Sequence, residues 1–263
     1  MPDTLQDIMY DYFDTEKVGG KPRFSSTPYL YDVAEGNVAE HYALHKFGRN
    51  AAVGSTAEPI WTASTAYSYL SSAEVLQVSS NNTADDGSPA GTGAQTVVIS
   101  GLDGNYDEVS ATVTMDGTST VATTGTSFLR VFRAYVATAG SGGANAGVIS
   151  IRNNANAVTL AQIAVGRNQT EMAMWTVPAG HDFFMIKLWA SESASQATQI
   201  TLWARPLGGV FQNKMTFVLN GSVLMRDFFL PLKFIEKTDI EVRASTAVGS
   251  GNVAAGFDGW YET

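Results

Sequence analysis

The chain has no cysteine, so neither disulfide bridges nor thiolate-bound zinc can hold it together, and burial or contact with other subunits must do so. Basic residues are scarce too. Lysine and arginine number 16 against 25 acidic residues, a formal charge of -9, and no short window gathers the positive ones. Phosphate backbones are held by a positive footprint, so no nucleic-acid partner is expected. No apolar run is long enough to span a bilayer, and Met1-Pro-Asp-Thr-Leu-Gln-Asp7 lacks the basic-then-apolar order of a secretion signal. The expectation is synthesis in a cytoplasm with no membrane partner.

The usual signatures of catalysis are also missing. No glycine loop ends in Lys-Ser/Thr to cradle phosphate, and no Gly-x-Ser-x-Gly elbow presents a nucleophile. His41 and His45 stand four apart, as zinc ligands on a helix would, but Tyr42 occupies the place where a metalloprotease needs Glu, and no third ligand is nominated. Asp103, Asn105, Asp107 and Glu108 alternate like the opening of a calcium loop, yet the Gly and distal Glu that complete such a loop do not follow. Asp85 and Asp86 share a Gly/Ser/Pro-containing loop, where adjacency does not set the carboxylate separation that glycoside cleavage requires, and they read as solvating residues. No enzymatic activity, metal or cofactor is expected.

What is present is the vocabulary of strands. Charged residues make up only 16% of the chain, and Gly, Ser, Thr, Ala and Asn fill the gaps between short apolar runs, a mixture that suits sheets and turns rather than helix bundles. The stretch from Gln95 to Ile151 reads as a β-meander. Val109, Ala111, Val113 and Met115 alternate with Ser110, Thr112 and Thr114, the two-residue period of a strand with one wet face. Leu102-Asp-Gly-Asn-Tyr-Asp107 parts two apolar runs with Asp-Gly, a strong hairpin signal. In the following run Phe128, Arg130, Phe132, Ala134 and Val136 share one face and Leu129, Val131, Arg133, Tyr135 and Ala137 the other. Both faces are mostly apolar, which predicts a strand covered on both sides, by a second sheet or a neighbouring subunit.

Three regions follow from this reading. Residues 1–64 carry many aromatics, are broken by Gly19-Gly20, Pro22, Pro28 and Pro59, and show no sustained period. Disordered leaders are poor in aromatics, so an extended N-terminal arm that docks on another surface is expected, with Tyr10, Tyr12, Phe13, Tyr29 and Tyr31 as its anchors. Residues 65–157 form a β-meander or sandwich lobe. Residues 158–263 hold eight candidate strands (160–165, 172–177, 183–189, 199–205, 210–219, 228–235, 240–244 and 253–260) separated by turn signals such as Pro178-Ala-Gly180, Pro206-Leu-Gly-Gly209 and Asn220-Gly221. Such spacing points to a jelly-roll-like β-sandwich. The fold class expected is therefore all-β. The aromatics of this last region, among them Trp175, Phe183, Phe184, Phe229, Phe257 and Trp260, read as core or subunit packing, with sugar stacking reserved for any that prove exposed.

Several phrases occur together in a telling order: His45-Lys-Phe-Gly-Arg-Asn50, Pro59-Ile-Trp61, Gly101-Leu-Asp-Gly-Asn-Tyr-Asp-Glu108, Ser127-Phe-Leu-Arg-Val-Phe-Arg-Ala134, Gln169-Thr-Glu-Met-Ala-Met-Trp-Thr-Val-Pro-Ala-Gly180 and Lys237-Thr-Asp-Ile-Glu-Val242. From about residue 45 onward this order resembles a group of structural proteins of tailed bacteriophages, notably aquatic ones, described as head-decoration, cement or tail-fibre proteins. In Ala51-Ala-Val-Gly-Ser-Thr-Ala-Glu58 the chain departs from the acidic, Asp-rich stretch of many such relatives. The resemblance implies a virion component and carries over no active site. On that footing the expected partners are the major capsid protein and further copies of the same chain, as a trimer. The alternative is a fibre or receptor-binding module that grips host polysaccharide through the loops Ser80–Gly93 and Thr138–Gly147, since recognition commonly sits on scaffolded loops.

Overall fold

The computed structural model describes residues 29–193 and 197–263, and the backbone of two short strands, β1 (Lys17–Val18) and β2 (Lys21–Pro22), which pair antiparallel. The chain divides into a compact unit Met1–Tyr42 and a second unit Ala43–Thr263. In the first lies a short helix α1 (Tyr29–Ala34), whose Tyr29 meets His41 edge to face at 6.0 Å. Tyr29 and Tyr31 are exposed, Tyr31 to 64%. Tyr10, Tyr12 and Phe13 lie outside the described residues.

The second unit is all-β and antiparallel throughout. It opens with β3 (His41–Val53) and β4 (Glu58–Pro59), passes through β5 (Gln77–Ser80), β6 (Ala94–Leu102), β7 (Glu108–Thr114), β8 (Val121–Ala122), β9 (Arg130–Ala139), β10 (Ile149–Arg152) and β11 (Thr159–Ile163), and ends with β12 (Met174–Thr176), β13 (Asp182–Glu192), β14 (Thr198–Arg205), β15 (Gln212–Leu219), β16 (Val223–Phe234), β17 (Asp239–Thr246) and β18 (Gly251–Glu262). The middle group makes one sandwich, of sheets β11-β10-β5-β8 and β7-β6-β9. The outer groups make the other, of sheets β16-β13-β18-β3 and β12-β17-β14-β15, with β4 also pairing with β17.

The order of strands in the second sandwich is diagnostic. Setting aside the two-residue β4, let β3 be strand one and β12 to β18 strands two to eight. The sheets then run 6-3-8-1 and 2-7-4-5, the arrangement of an eight-stranded jelly roll built from two Greek keys. The middle sandwich is therefore an insertion between the first and second strands of a jelly roll.

This arrangement corrects two boundaries. Residues 43–61 belong to the sandwiches and not to an arm. Lys46, Gly48 and Asn50 alternate inward along β3, Ile60 and Trp61 are fully buried, and an added Cβ at Gly48 would collide with the backbone of Ile60 and Ala173. Their sequence hides this because glycine and polar residues fill the inward positions. The second boundary moves past residue 158, since β11 pairs with β10 in the inserted sandwich. The eight strands read from the sequence all form, and the Leu102–Asp107 hairpin joins β6 to β7 in regular register.

The two cores share a wall. Ile60 and Trp61 are consecutive, and alternation along an extended chain sends Ile60 into the jelly-roll core and Trp61 into the inserted core. Ala173 and Trp175 likewise enter the first core while Met174 enters the second. The predicted double coverage of the strand after Phe128 has a similar cause. β9 bulges between the pairs Ser100–Arg133 and Gly101–Val131, leaving Phe132 unpaired. The bulge turns Phe132 onto Trp175 and the jelly-roll core, while Val131 and Ala134 stay in their own.

Candidate functional site

The most heavily built polar constellation lies where the sandwiches meet. Arg130, at the start of β9, donates from Nε to Asp239 Oδ1 at 2.8 Å and from Nη2 to Oδ2 at 3.3 Å, and its Nη1 reaches the carbonyls of Leu70 and Leu129, each at 3.0 Å. Asp239, at the start of β17, also accepts from Arg205 Nη2 at 2.6 Å and from the Thr176 hydroxyl at 2.6 Å. The side chains of Arg130 and Asp239 are only 8% and 4% exposed. A charge so deeply placed is tolerated only when paired and hydrogen-bonded, and here each of the three guanidinium nitrogens of Arg130 has an acceptor.

Aromatic rings pack around this pair. Tyr69 lies under Arg130 at 4.8 Å and Arg205 at 4.3 Å, and Phe211 lies under Arg205 and Arg243, each at 4.6 Å. The Tyr69 hydroxyl donates to Glu241 Oε1 at 2.6 Å, and Arg243 Nε donates to Oε2 at 2.5 Å. Burial, followed by the Glu241 charge, pushes the Tyr69 phenol well above its ordinary pKa, and burial likewise raises that of Tyr67. Burial raises the Glu241 carboxyl despite the neighbouring Arg243. Burial acts to lower Arg130, but the hydrogen bond and charge of Asp239 outweigh it and the pKa rises. These groups are spent on one another. An open depression of ≈ 400 Å³ above them is walled by Tyr69, Tyr106, Arg205 and the Pro206–Gly209 turn. Further ties cross the junction: the Ala179 amide donates to Tyr106 O at 2.9 Å, and the Tyr261 hydroxyl reaches Glu108 at 3.3 Å.

A second constellation organises the two loops singled out for recognition. Asp85 is fully buried, which corrects its reading as a solvating residue. Its carboxylate accepts from Ser80 Oγ at 2.5 Å, the amides of Ala94 and Ala146 at 2.7 Å, and the amide of Gly147 at 2.8 Å. Backbone bonds from Gly140 to Gly93 O and from Gly142 to Thr92 O, both 2.8 Å, complete the seam. Ser80–Gly93 and Thr138–Gly147 are thus one surface pinned by one carboxylate. Gly93 is required there, because an added Cβ would strike Asp85 Oδ1.

The third feature is a bare edge. On one side of the jelly roll, β3 and β12 are backed by the inserted sandwich: Lys46 on β3 donates to Phe132 O, and Trp175 on β12 meets the Phe132 ring at 6.5 Å. On the other side, β15 and β16 are the last strands of their sheets. Between the pairs Lys187–Asp227 and Met185–Leu232, four residues of β16, Phe228-Phe229-Leu230-Pro231, stand opposite Ile186 alone. Pro231 offers no amide to the ladder. Phe229 is 99% exposed and Leu230 76%, with Val218, Val223 and Met225 also uncovered.

The remaining candidates resolve into local structure. His41 and His45 lie on a strand, where four residues span roughly 13 Å at about 3.3 Å each, and His45 Nδ1 meets Asp258 at 3.1 Å. Asp103 accepts from the Asn105 and Asp107 amides at 2.8 and 3.1 Å, the bonds of a turn. Among the described residues no group of three or more His, Cys, Asp or Glu is placed to hold a metal. Of the aromatics, Trp175, Phe183, Phe234 and Phe257 enter the core, while Phe184 and Trp260 stack at 5.2 Å, both partly exposed. The Arg130–Asp239 clamp escaped sequence reading. Its signal was an arginine between Phe128 and Phe132 on an apolar face, a position that demands a buried carboxylate.

No family model and no curated protein matches the chain. Among solved structures it is similar to those titled for infectious bursal disease virus, Gt strain (9% identity, 89% of this chain and 78% of the other, TM-score 0.20) and Gx strain (9%, 89% and 78%, TM-score 0.23). A third is the VP2 subviral particle of the same virus (10% identity, 90% and 82%, TM-score 0.17). Likeness at these TM-scores carries no weight for fold or function.

Proposed function

We propose that this chain is a structural component of a tailed-bacteriophage virion, and in its most specific form a decoration protein that seats on the major capsid protein and cements the shell as a homo-oligomer, in the expected symmetry a trimer. It is not an enzyme in this reading. The observation that carries it is the pairing of a rigid body with an uncovered apolar edge: two sandwiches clamped through Arg130–Asp239 present Phe229 and Leu230 to solvent. Apolar surface of this kind marks contact with other protein. The eight-stranded jelly roll supports the reading by analogy only, because capsid and lectin domains share that architecture. The resemblance of phrases such as His45–Asn50 and Gln169–Gly180 to phage structural proteins supports it as well. Cementing follows from multivalency, since each further contact made by an anchored oligomer is effectively intramolecular.

The test is mass spectrometry of purified particles from the virus that encodes the chain. Stoichiometric copies, in simple ratio to the major capsid protein, are expected, and a chain found only in lysate and never in particles would refute the proposal.

One observation favours the second reading, a fibre or receptor-binding module. The Asp85 staple joins Ser80–Gly93 and Thr138–Gly147 into a preorganised surface suited to host polysaccharide. Labelled protein that adheres to host cells and not to capsids would decide for it.

A further inference from the structure

The bare edge carries both halves of a contact. Next to the Phe229–Leu230 bulge along β16 lies a groove of ≈ 330 Å³ lined by Ala204, Pro206, Leu232, Phe234 and Ile235 and also by Lys214, Lys233 and Thr238. It opens between the last strands of the two jelly-roll sheets. The bulge itself is a protruding apolar knob on an edge strand whose ladder has been broken. Soluble proteins blunt open edges with charge, bulges or a covering element. Here the opposite edge is covered by the inserted sandwich, whereas this one presents an apolar knob next to an apolar socket.

We propose that β15 and β16 form the interface between copies of this chain, the Phe229–Leu230 knob of one copy filling the Ala204/Pro206/Leu232/Ile235 groove of the next. The occupant is a second copy because the complement of each patch is already present on the same molecule: an aromatic and a leucine of the right chemistry, and a socket walled by aliphatic and aromatic groups. A contact between two different patches closes into a ring, or is exchanged reciprocally about a two-fold axis when knob and socket are neighbours. Lys214 and Lys233 also line the socket, and Asp182 already neutralises Lys233 at 2.7 Å. Phe229 and Leu230 then act as interface anchors, and the surrounding polar rim excludes water. The inference names the surface of the homo-oligomer in the proposed function and rests on that reading only for its setting, since self-association of the purified chain and its presence in particles fail independently.

Sedimentation velocity on the full-length chain tests it. The wild type is expected to sediment as two or more copies, and Phe229→Asp to weaken association about thirtyfold or more, corresponding to the ~2 kcal/mol of an interface anchor. Because Phe229 is fully exposed, this substitution leaves the fold intact, which circular dichroism checks. Ile235→Asp, in the socket, is expected to weaken association equally. Mixing the two variants supplies one intact socket and one intact knob and restores a heterodimer. A monomeric wild type, association indifferent to Phe229→Asp, or a mixture that stays monomeric would each overturn the proposal. So would a wild-type chain that is monomeric alone and uses Phe229 only to seat on capsid shells.

Discussion

At the scale of single residues, two buried ionisable groups govern stability. Asp239 neutralises two arginines, and removing it leaves the buried Arg130 without a counter-charge. Asp239→Ala is expected to cost about 3–5 kcal/mol, read from urea unfolding, because the uncompensated charge costs more than the lost bonds. Lys46 is the other. Burial, then the charge of Arg133, lowers its pKa from 10.5 to about 7. Below pH 7 it is protonated in both folded and unfolded chains and its charge is fully penalised by burial. Between pH 7 and 10 the unfolded chain holds the proton and the folded chain has released it, so stability rises with pH. Lys46→Met should flatten that rise in the midpoint of urea unfolding, and a slope equal to that of the wild type would contradict the assignment. Residue patterns exposed part of this in advance. The alternation of Val109, Ala111 and Val113 marked a strand, but buried Asp85 sits in a loop whose composition reads as solvated, and its role shows only in its four partners, of which Ala146 and Gly147 lie 61 and 62 residues away.

At the scale of elements, loops and bulges do the positioning. Asp85→Ala should release the Ser80–Gly93 and Thr138–Gly147 loops together. Hydrogen exchange is expected to show lost protection at Ala94, Ala146 and Gly147 while β13 and β18 remain protected, since charge-assisted bonds of this kind contribute about 1.5–3 kcal/mol each. Unchanged protection at those three amides would mean that the loops are held by other means. Strand existence was legible in the sequence because alternation and turn residues are local; all eight strands after residue 158 carry that signal. Strand partnership was not. β3 completes a sheet with β18, about two hundred residues on, and β11 joins the sandwich before it, because pairing is decided by long-range burial that no local period encodes. The bulge at Phe132 is equally silent in sequence, and it explains why both faces of β9 are apolar.

At the scale of the whole molecule, the shared wall makes the two sandwiches one cooperative body. Calorimetry should show a single unfolding transition for the wild type, and Arg130→Ala should broaden or split it as the clamp is lost. A chain beginning after Trp61 lacks β3, Ile60 and Trp61 and is expected not to fold, so the contribution of the N-terminal region to particle binding is tested with a chain that begins at Ala43. The jelly roll itself was foreshadowed by strand count, whereas its interruption by a second sandwich was not, since the insertion is built from the same strand-and-turn vocabulary as its host.

A body proposed to pack against other protein in a particle should be found on that particle. Immunogold labelling of intact particles, with antibody raised against residues 43–263, reads this out. Gold is expected over the head surface at many sites per particle. Particles that remain unlabelled, while the free chain in the same lysate binds the antibody, would contradict it.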